Sequence, residues 1–482
     1  MSRSLKGAAV CCGWSLLVPW ASGEKLMVTN DLSSGPGSFR QALIEASAQP
    51  VEGVVEIGFD AEFFAESRLI KLGEPLPIVR RSVVIEGPPL DGEGVPMVRL
   101  SGDTNESASP DEGDVAGLHL ELPKGGSAVL KRLMFERCLS TATPGGAVYF
   151  RPDGPARLEI EDCVFDRNVG RWGGAVSMGG EGHEGILRGC LFRGNVATIF
   201  DGGAVHLGGT PALVDRCQFL ENNAPHGAAL HTFHGSAEIR GCLFDSNQTF
   251  APGRGGAITA RHGIRIVGTT FVNNSARTGG ALFLSQMAAP APGARIENST
   301  FSANVATSAA GGAIYAVNAD VLLRHATLTL NHANSGAAAD PFVGGGAIAV
   351  PEAASANQIR LHNCLIAENR LSGTGPAATI DLQGPAVSFV SLGGNVLGVG
   401  RHLEAVWSET ADRFGSVEEP LAPKLDPLSP NGGTLLTHLP QADSPAVDVG
   451  VPGPDPVIAV DQRGVARPNG PAPDAGALER EP

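Results

Sequence analysis

FDGGAVHLGGTPALVDRCQFLEN, Phe200–Asn222, carries two signals whose recurrence decides the fold. The first is the paired glycine with its short apolar run. It returns as PGGAVYF, WGGAVSM, GGAITA, GGALFL, GGAIYA and GGAIAV, counted from Gly145, Gly173, Gly202, Gly227, Gly255, Gly279, Gly311 and Gly345. The steps are 28, 29, 25, 28, 24, 32 and 34 residues. The second signal runs in phase: CVFDRN (163–168), CLFRGN (190–195), CQFLEN (217–222), CLFDSN (242–247), TTFVNN (269–274), STFSAN (299–304), ATLTLN (326–331) and CLIAEN (364–369). A repeat of this length marks a solenoid, because one unit buries its apolar face only by stacking on the next.

Within a repeat, stretches such as RLEIEDCVF and SAEIRGCLF alternate apolar and polar residues, the period of a strand with one buried face. Two or three short strands joined by glycine and asparagine turns fill the repeat and leave no room for a helix. The predicted fold is therefore all-β, a right-handed parallel β-helix with coils stacked at about 4.8 Å. Equivalent residues then form ladders. Asn168, Asn195, Asn222, Asn247, Asn274 and Asn304, continued by Asn331 and Asn369, are expected to stack at one corner, each amide donating to one coil and accepting from another. Asparagine also tolerates a left-handed turn. Phe165, Phe192, Phe219, Phe244, Phe271 and Phe301 should form an internal stack. Cys163, Cys190, Cys217 and Cys242 share an inward register, and their phenylalanine-flanked setting favours buried thiols over disulfides.

The residue after each GGA-apolar triplet should point outward: Tyr149, Ser177, His206, His231, Thr259, Phe283, Tyr315 and Ala349. Around His206 and His231 this strip collects Trp172, Asp201 and Arg254, with His226 and His234 beside His231. Rings that stack on sugar faces, next to polar groups that fix hydroxyls, suit a carbohydrate ligand. The plain alternative is a solvated sheet face. A metal held by Asp201, His206 and His231 lacks outer-shell partners in the sequence, so no metal site is assigned.

Glycine (64) and proline (35) are abundant and aromatics make up 5% of the 482 residues, a balance suited to short strands and tight turns. Residues 1–23 read as a signal peptide: Arg3 and Lys6, an apolar run from Ala8 to Trp20, then Ala21 and Gly23. Removing it leaves 33 cationic and 50 anionic residues, a net charge of −17. That excludes nucleic acid and anionic membrane surfaces as partners, which require clustered Lys and Arg. No other run is long and apolar enough to span a bilayer, so the expected location is secreted or cell-surface, with the periplasm open. Residues 24–125 form an N-terminal cap and irregular first coils, 126–395 the regular helix, and 396–482 a small C-terminal accessory domain. In the cap, Phe39, Ala42, Leu43 and Ala46 fall on one face of a helix over Gly37–Ala48 that Ser38 can cap.

The opening VTNDLSSGPGSFRQALIEAS, followed by VVEIGFD, LPIVRRSVVIEGP and VRLSGD, resembles secreted bacterial β-helix proteins of the pectin-lyase-like superfamily. The GGA[VI] and FxxN series is similar to the repeats of chlamydial polymorphic outer-membrane proteins. PLAPKLDPLSPNGGTLLTHLPQADSPAVDVG, with DQRGVARPNG and DAGALE after it, resembles the choice-of-anchor Q domain of bacterial surface proteins. The resemblance implies export. No apolar tail, basic cluster or sorting tripeptide follows before Pro482, and residues beyond 395 lack the alternating strands of a membrane barrel, so the mode of anchoring stays open.

Many β-helix proteins cleave polysaccharides, which requires paired carboxylates or a calcium-acid cluster with a cationic base. The candidates here are scattered: Asp166 with Arg167 and Arg171, Glu181 with His183 and Glu184, Asp201 with His206, Asp215 with Arg216, and Arg261 with His262. None reproduces a polygalacturonase or pectate-lyase series, so no catalytic residue is assigned. Calcium is the one cofactor the acidic composition admits, at Asp426, Asp448, Asp461 and Asp474, whose other reading is turn capping. The expected function is adhesion or glycan binding by an exported non-catalytic protein, with a polysaccharide lyase or glycoside hydrolase as the alternative.

Overall fold

The computed structural model describes residues 22–481 apart from 50–52, 210, 286–292, 309, 335–343, 352–357, 373–379 and 454–455, and parts of 108–112 and 401–410. Residues 1–21 of the predicted signal segment lie outside the described residues. The chain winds into a right-handed parallel β-solenoid of about 12 turns. Among the described residues it is built of four parallel sheets: sheet A and sheet B with 13 strands each, sheet C with ten and sheet D with eight.

One coil shows how the repeat is spent. Val176–Met178 lies in sheet C, Glu184–Arg188 in A, Leu191–Arg193 in B and Val196–Ala197 in D, before Val205–Leu207 returns to C. The fourth strand corrects the expectation of two or three per coil. In most coils it is only the two residues that follow the ladder asparagine, too short to show a period of two.

The ladders form in the expected register. In Asn195, Nδ2 donates to Phe165 O at 2.9 Å and to Asn222 Oδ1 at 3.0 Å, and the backbone N donates to the same oxygen at 2.9 Å. The pattern repeats from Asn168 to Asn331 with every amide fully buried. The left-handed residue of the turn, however, is the one before each asparagine: Arg167, Gly194, Glu221, Ser246, Asn273, Ala303, Leu330 and Glu368 have φ between 53 and 61°. The asparagine itself is held by its hydrogen bonds. Inside, Phe135, Phe165, Phe192, Phe219, Phe244, Phe271 and Phe301 stack with centroids 4.6–5.4 Å apart and planes within 9°. The cysteines at 138, 163, 190, 217, 242 and 364 are free and buried, and burial raises the Cys163, Cys190 and Cys217 thiols well above their ordinary range.

At the N-terminal end the helix Phe39–Ala48 covers the first coils with Phe39, Ala42, Leu43 and Ala46, and Ser38 Oγ accepts from Gln41 N at 3.2 Å. At the other end the asparagine ladder stops on a carboxylate. Asp381 Oδ1 accepts from Asn369 Nδ2 (2.8 Å) and N (3.3 Å), and Oδ2 accepts from Val399 N (2.8 Å). Burial pushes its carboxyl up to about 7, against the pull of those donors. The folded chain therefore holds a proton that the unfolded chain releases near pH 4. The contribution to stability is full below pH 4 and is lost as pH rises through 7, by up to roughly 4 kcal/mol. Urea midpoints at pH 5 and pH 8 should fall further with pH in the native protein than in Asp381→Asn; equal changes would remove this group as the cause.

Beyond Phe414 the chain turns back as an irregular arm on the outer face of sheet B. Thr270 Oγ1 donates to Leu436 O (2.8 Å), Thr300 Oγ1 to Gln462 Oε1 (2.7 Å), and Asn298 Nδ2 to Val460 O (2.7 Å), while Ala477 N donates to Thr327 Oγ1 (2.9 Å). The DQRG, R and DAGALE motifs build a buried ionic lock in this arm, with Arg467 Nη1 2.6 Å from Glu479 Oε2 and Arg463 Nη2 2.9 Å from Asp461 Oδ2.

Candidate functional site

Sheet C presents the outward column read from the sequence, paired in register as Tyr149, Ser177, His206, His231, Thr259, Phe283 and Tyr315. Alternation does place these side chains away from the internal stack, but it does not make them a solvated face. His206 is 8% exposed and His231 1%. The glycine turn supplies part of the cover. Gly202, at φ +76°, lies so close over the strand that a Cβ there would sit 2.3 Å from Val205 O and 3.2 Å from His206 Cα. The Trp172 indole supplies more, stacked on His206 at 5.3 Å and 21° and propped by Phe200 at 4.6 Å.

Between these loops opens a cavity of about 300 Å³, floored by Tyr149, Ser177 and His206. Pro144 and Trp172 wall it on the side of the glycine turns, and Gly179–Glu181, Gly208, Phe233 and His234 on the other. Phe233 and Pro144 were not singled out from the sequence. Phe233 stands two residues beyond the outward His231, in a turn whose direction periodicity does not report. Farther along, the Arg261 guanidinium lies 5.5 Å over the Phe233 ring, and His234 Nδ1 is 3.4 Å from His262 Nε2.

Trp172, His206, His231 and Asp201 come together. His206 and His231 stack at 5.3 Å, with their Nδ1 atoms 3.2 Å apart, and His231 Nε2 lies 3.3 Å from Asp201 Oδ2. Burial lowers His206 to about 4 and, helped by the nearby His206, Arg261 and His226, holds His231 well below its ordinary range. Burial raises Asp201 to about 6, opposed by Arg261. Arg254 is not among the residues lining the cavity. Its guanidinium lies 5.1 Å over the Phe283 ring, and its backbone N donates to His226 Nδ1 at 3.1 Å.

Several carboxylates considered for catalysis belong to other faces. Asp166 is paired with Arg193 (2.8 Å) and Arg167 (3.0 Å), Glu184 with Arg157 (2.8 Å), and Asp215 with Arg216 (3.3 Å) and Arg240 (3.6 Å), all on sheets A and B and the turns beside them. Among the described residues no group of three or more His, Cys, Asp or Glu is placed to hold a metal ion. Asp448, Asp461 and Asp474 accept from backbone N–H groups of the arm, and Asp426 from Gln441 Nε2. No helix of the described residues is long and apolar enough to cross a membrane.

No protein-family model and no curated protein sequence matches the chain. Among solved structures it is similar to pectate lyase Pel9A, at 10% identity and a TM-score of 0.36, over 95% of this chain and 97% of that one. It is also similar to the catalytic unit of a thermostable GH87 α-1,3-glucanase from Streptomyces thermodiastaticus (14%, 0.38, 78% and 70%). A third is the PL6-family alginate lyase AlyGC (13%, 0.35, 77% and 51%). These likenesses are of fold.

Proposed function

We propose that the protein is an exported, non-catalytic β-helix protein that binds a glycan in the groove on sheet C. One observation carries this reading: a cleft of about 300 Å³ lined by the rings of Tyr149, Trp172 and Phe233, with His206 in its floor. Flat apolar rings and a few fixed polar atoms are what a sugar face and its hydroxyls require. Glu181 is the only carboxylate on the lining among the described residues, whereas glycoside cleavage uses two that flank the scissile bond. Export rests on residues 1–23 and the acidic balance, and surface attachment on the likeness of residues 396–482 to the choice-of-anchor Q type.

Trp172→Ala should weaken binding roughly tenfold, about the 1.4 kcal/mol a lost ring stack removes. Calorimetric titration against a panel of neutral and uronic-acid polysaccharides checks it. Retention without turnover supports the reading. No binding by the native protein anywhere on the panel, or affinity unchanged in the variant, overturns it. New reducing ends or unsaturated-product absorbance would install the lyase or hydrolase alternative instead.

A further inference from the structure

The groove has an interior behind it. His206 belongs both to the cavity floor and to a line of three titratable groups that runs away from it: Asp201 Oδ2 to His231 Nε2 at 3.3 Å, then His231 Nδ1 to His206 Nδ1 at 3.2 Å. His231 Nε2 is fully buried and makes no hydrogen bond among the described residues, so Asp201 Oδ2, 3.3 Å away at ion-pair distance, is the group positioned to exchange a proton with it. The remaining ring nitrogen, His206 Nε2, is the one not engaged by another described protein group. Each link joins a single atom to a single atom, so the proton positions are not independent.

A neutral imidazole carries one N–H, and that constraint propagates along the line. When Asp201 is ionised it only accepts, so His231 must carry its proton on Nε2. His231 Nδ1 then accepts from His206 Nδ1–H, and His206 Nε2 is left as an acceptor. When Asp201 is protonated it donates to His231 Nε2, His231 Nδ1–H donates to His206 Nδ1, and His206 Nε2 carries the proton. We propose that Asp201, His231 and His206 form a proton relay whose state decides whether the glycan groove presents a hydrogen-bond acceptor or a donor at His206 Nε2. The balance is simple: one proton enters, two pass along the line, no imidazolium forms and no covalent bond to ligand changes.

The surroundings favour that route over charging a ring. Burial holds both imidazoles neutral, whereas Asp201 sits near 6, so a proton arriving at the groove ends on the carboxyl. The groups facing the relay are Arg261, which opposes a positive charge on His231 and favours the Asp201 carboxylate, and His226, backed by Arg254. Trp172, stacked on His206, is uncharged. Above about pH 6 the groove accepts a sugar hydroxyl; below it the groove donates to a carbonyl, carboxylate or ring oxygen. This selectivity rests on the glycan-groove reading, but the relay does not.

The test uses the full chain labelled with ¹⁵N-histidine and no ligand. Between pH 8 and pH 5 the ring nitrogens of His206 and His231 should exchange pyridine-like and pyrrole-like signals together, with one midpoint near 6. Asp201→Asn should abolish the exchange, and His231→Gln should uncouple His206 from pH. Either ring becoming imidazolium in this range, fixed tautomers throughout, or an exchange that persists in Asp201→Asn would overturn the relay. A protein that shows the relay but binds no glycan loses only the function proposed for the groove.

Discussion

Asn222→Leu should lower the unfolding free energy by roughly 3–5 kcal/mol, although it removes no charge and little volume. Asn222 Nδ2 donates to Phe192 O (3.0 Å) and Asn247 Oδ1 (2.9 Å), and its Oδ1 accepts from Asn195 N (2.9 Å) and Nδ2 (3.0 Å). Leucine leaves Asn195 N and one Nδ2 proton of Asn195 without an acceptor in a site without solvent, at about 1–3 kcal/mol for each, and takes the side-chain donor from Phe192 O. Asn247 Oδ1 keeps only the Asn222 backbone N–H (3.1 Å). Because a solenoid is held by neighbour-to-neighbour terms, the loss should appear as early opening of the central coils, read by urea unfolding and amide exchange around residues 195–247. A loss below 1 kcal/mol would mean that the stacked phenylalanines hold the coils without the amides.

Arg467→Met should cost about 3–5 kcal/mol, and the damage should stay in the arm. The Arg467–Glu479 pair is 1% exposed on both sides, and the guanidinium also donates to Asp474 O (3.2 Å) and Gly476 O (2.9 Å). Methionine fills most of the space but strands a buried carboxylate that also accepts from Asn469 N and Asp474 N. Limited proteolysis should then cut rapidly beyond residue 415 while the strands of the solenoid stay protected. Burial already raises Glu479 in the native protein, so acidification should return part of the loss in the variant. Arg467→Met with Glu479→Leu should be more stable than Arg467→Met alone, because no charge is then stranded. A double variant as weak as the single one would place the energy in shape rather than in the pair.

The interior was legible from the sequence to the level of individual residues. The spacing of Asn168, Asn195 and Asn222 fixed which amides meet, since a parallel coil brings residue i onto residue i plus one repeat. The phenylalanine stack and the thiol register followed from the same period, and the capping helix from the helical spacing of Phe39, Ala42, Leu43 and Ala46. The arm's landing place is written in the sequence too. On sheet B the outward pairs change from Asp166, Arg193, Leu220 and Asp245 to Thr270 with Val272, Thr300 with Ser302, and Thr327 with Thr329. Small, mostly hydroxylated side chains replace a mixed charged and apolar set at the coils where the arm docks.

The groove was legible only in its members. Alternation put His206 and His231 on the outer side of sheet C, and that was correct as a direction. It carried no information about cover, which comes from a glycine turn folding back over the strand, from Trp172 one coil earlier, and from Phe233 one coil later. Sequence period determined the columns, because stacking along one axis is a one-dimensional problem that local spacing solves. The tertiary structure alone decided which outward columns are dry, which face a cavity and which carry the arm. Those contacts join residues as far apart as Thr270 and Gln462, where no spacing rule reaches and only the shape of the finished helix brings the partners together.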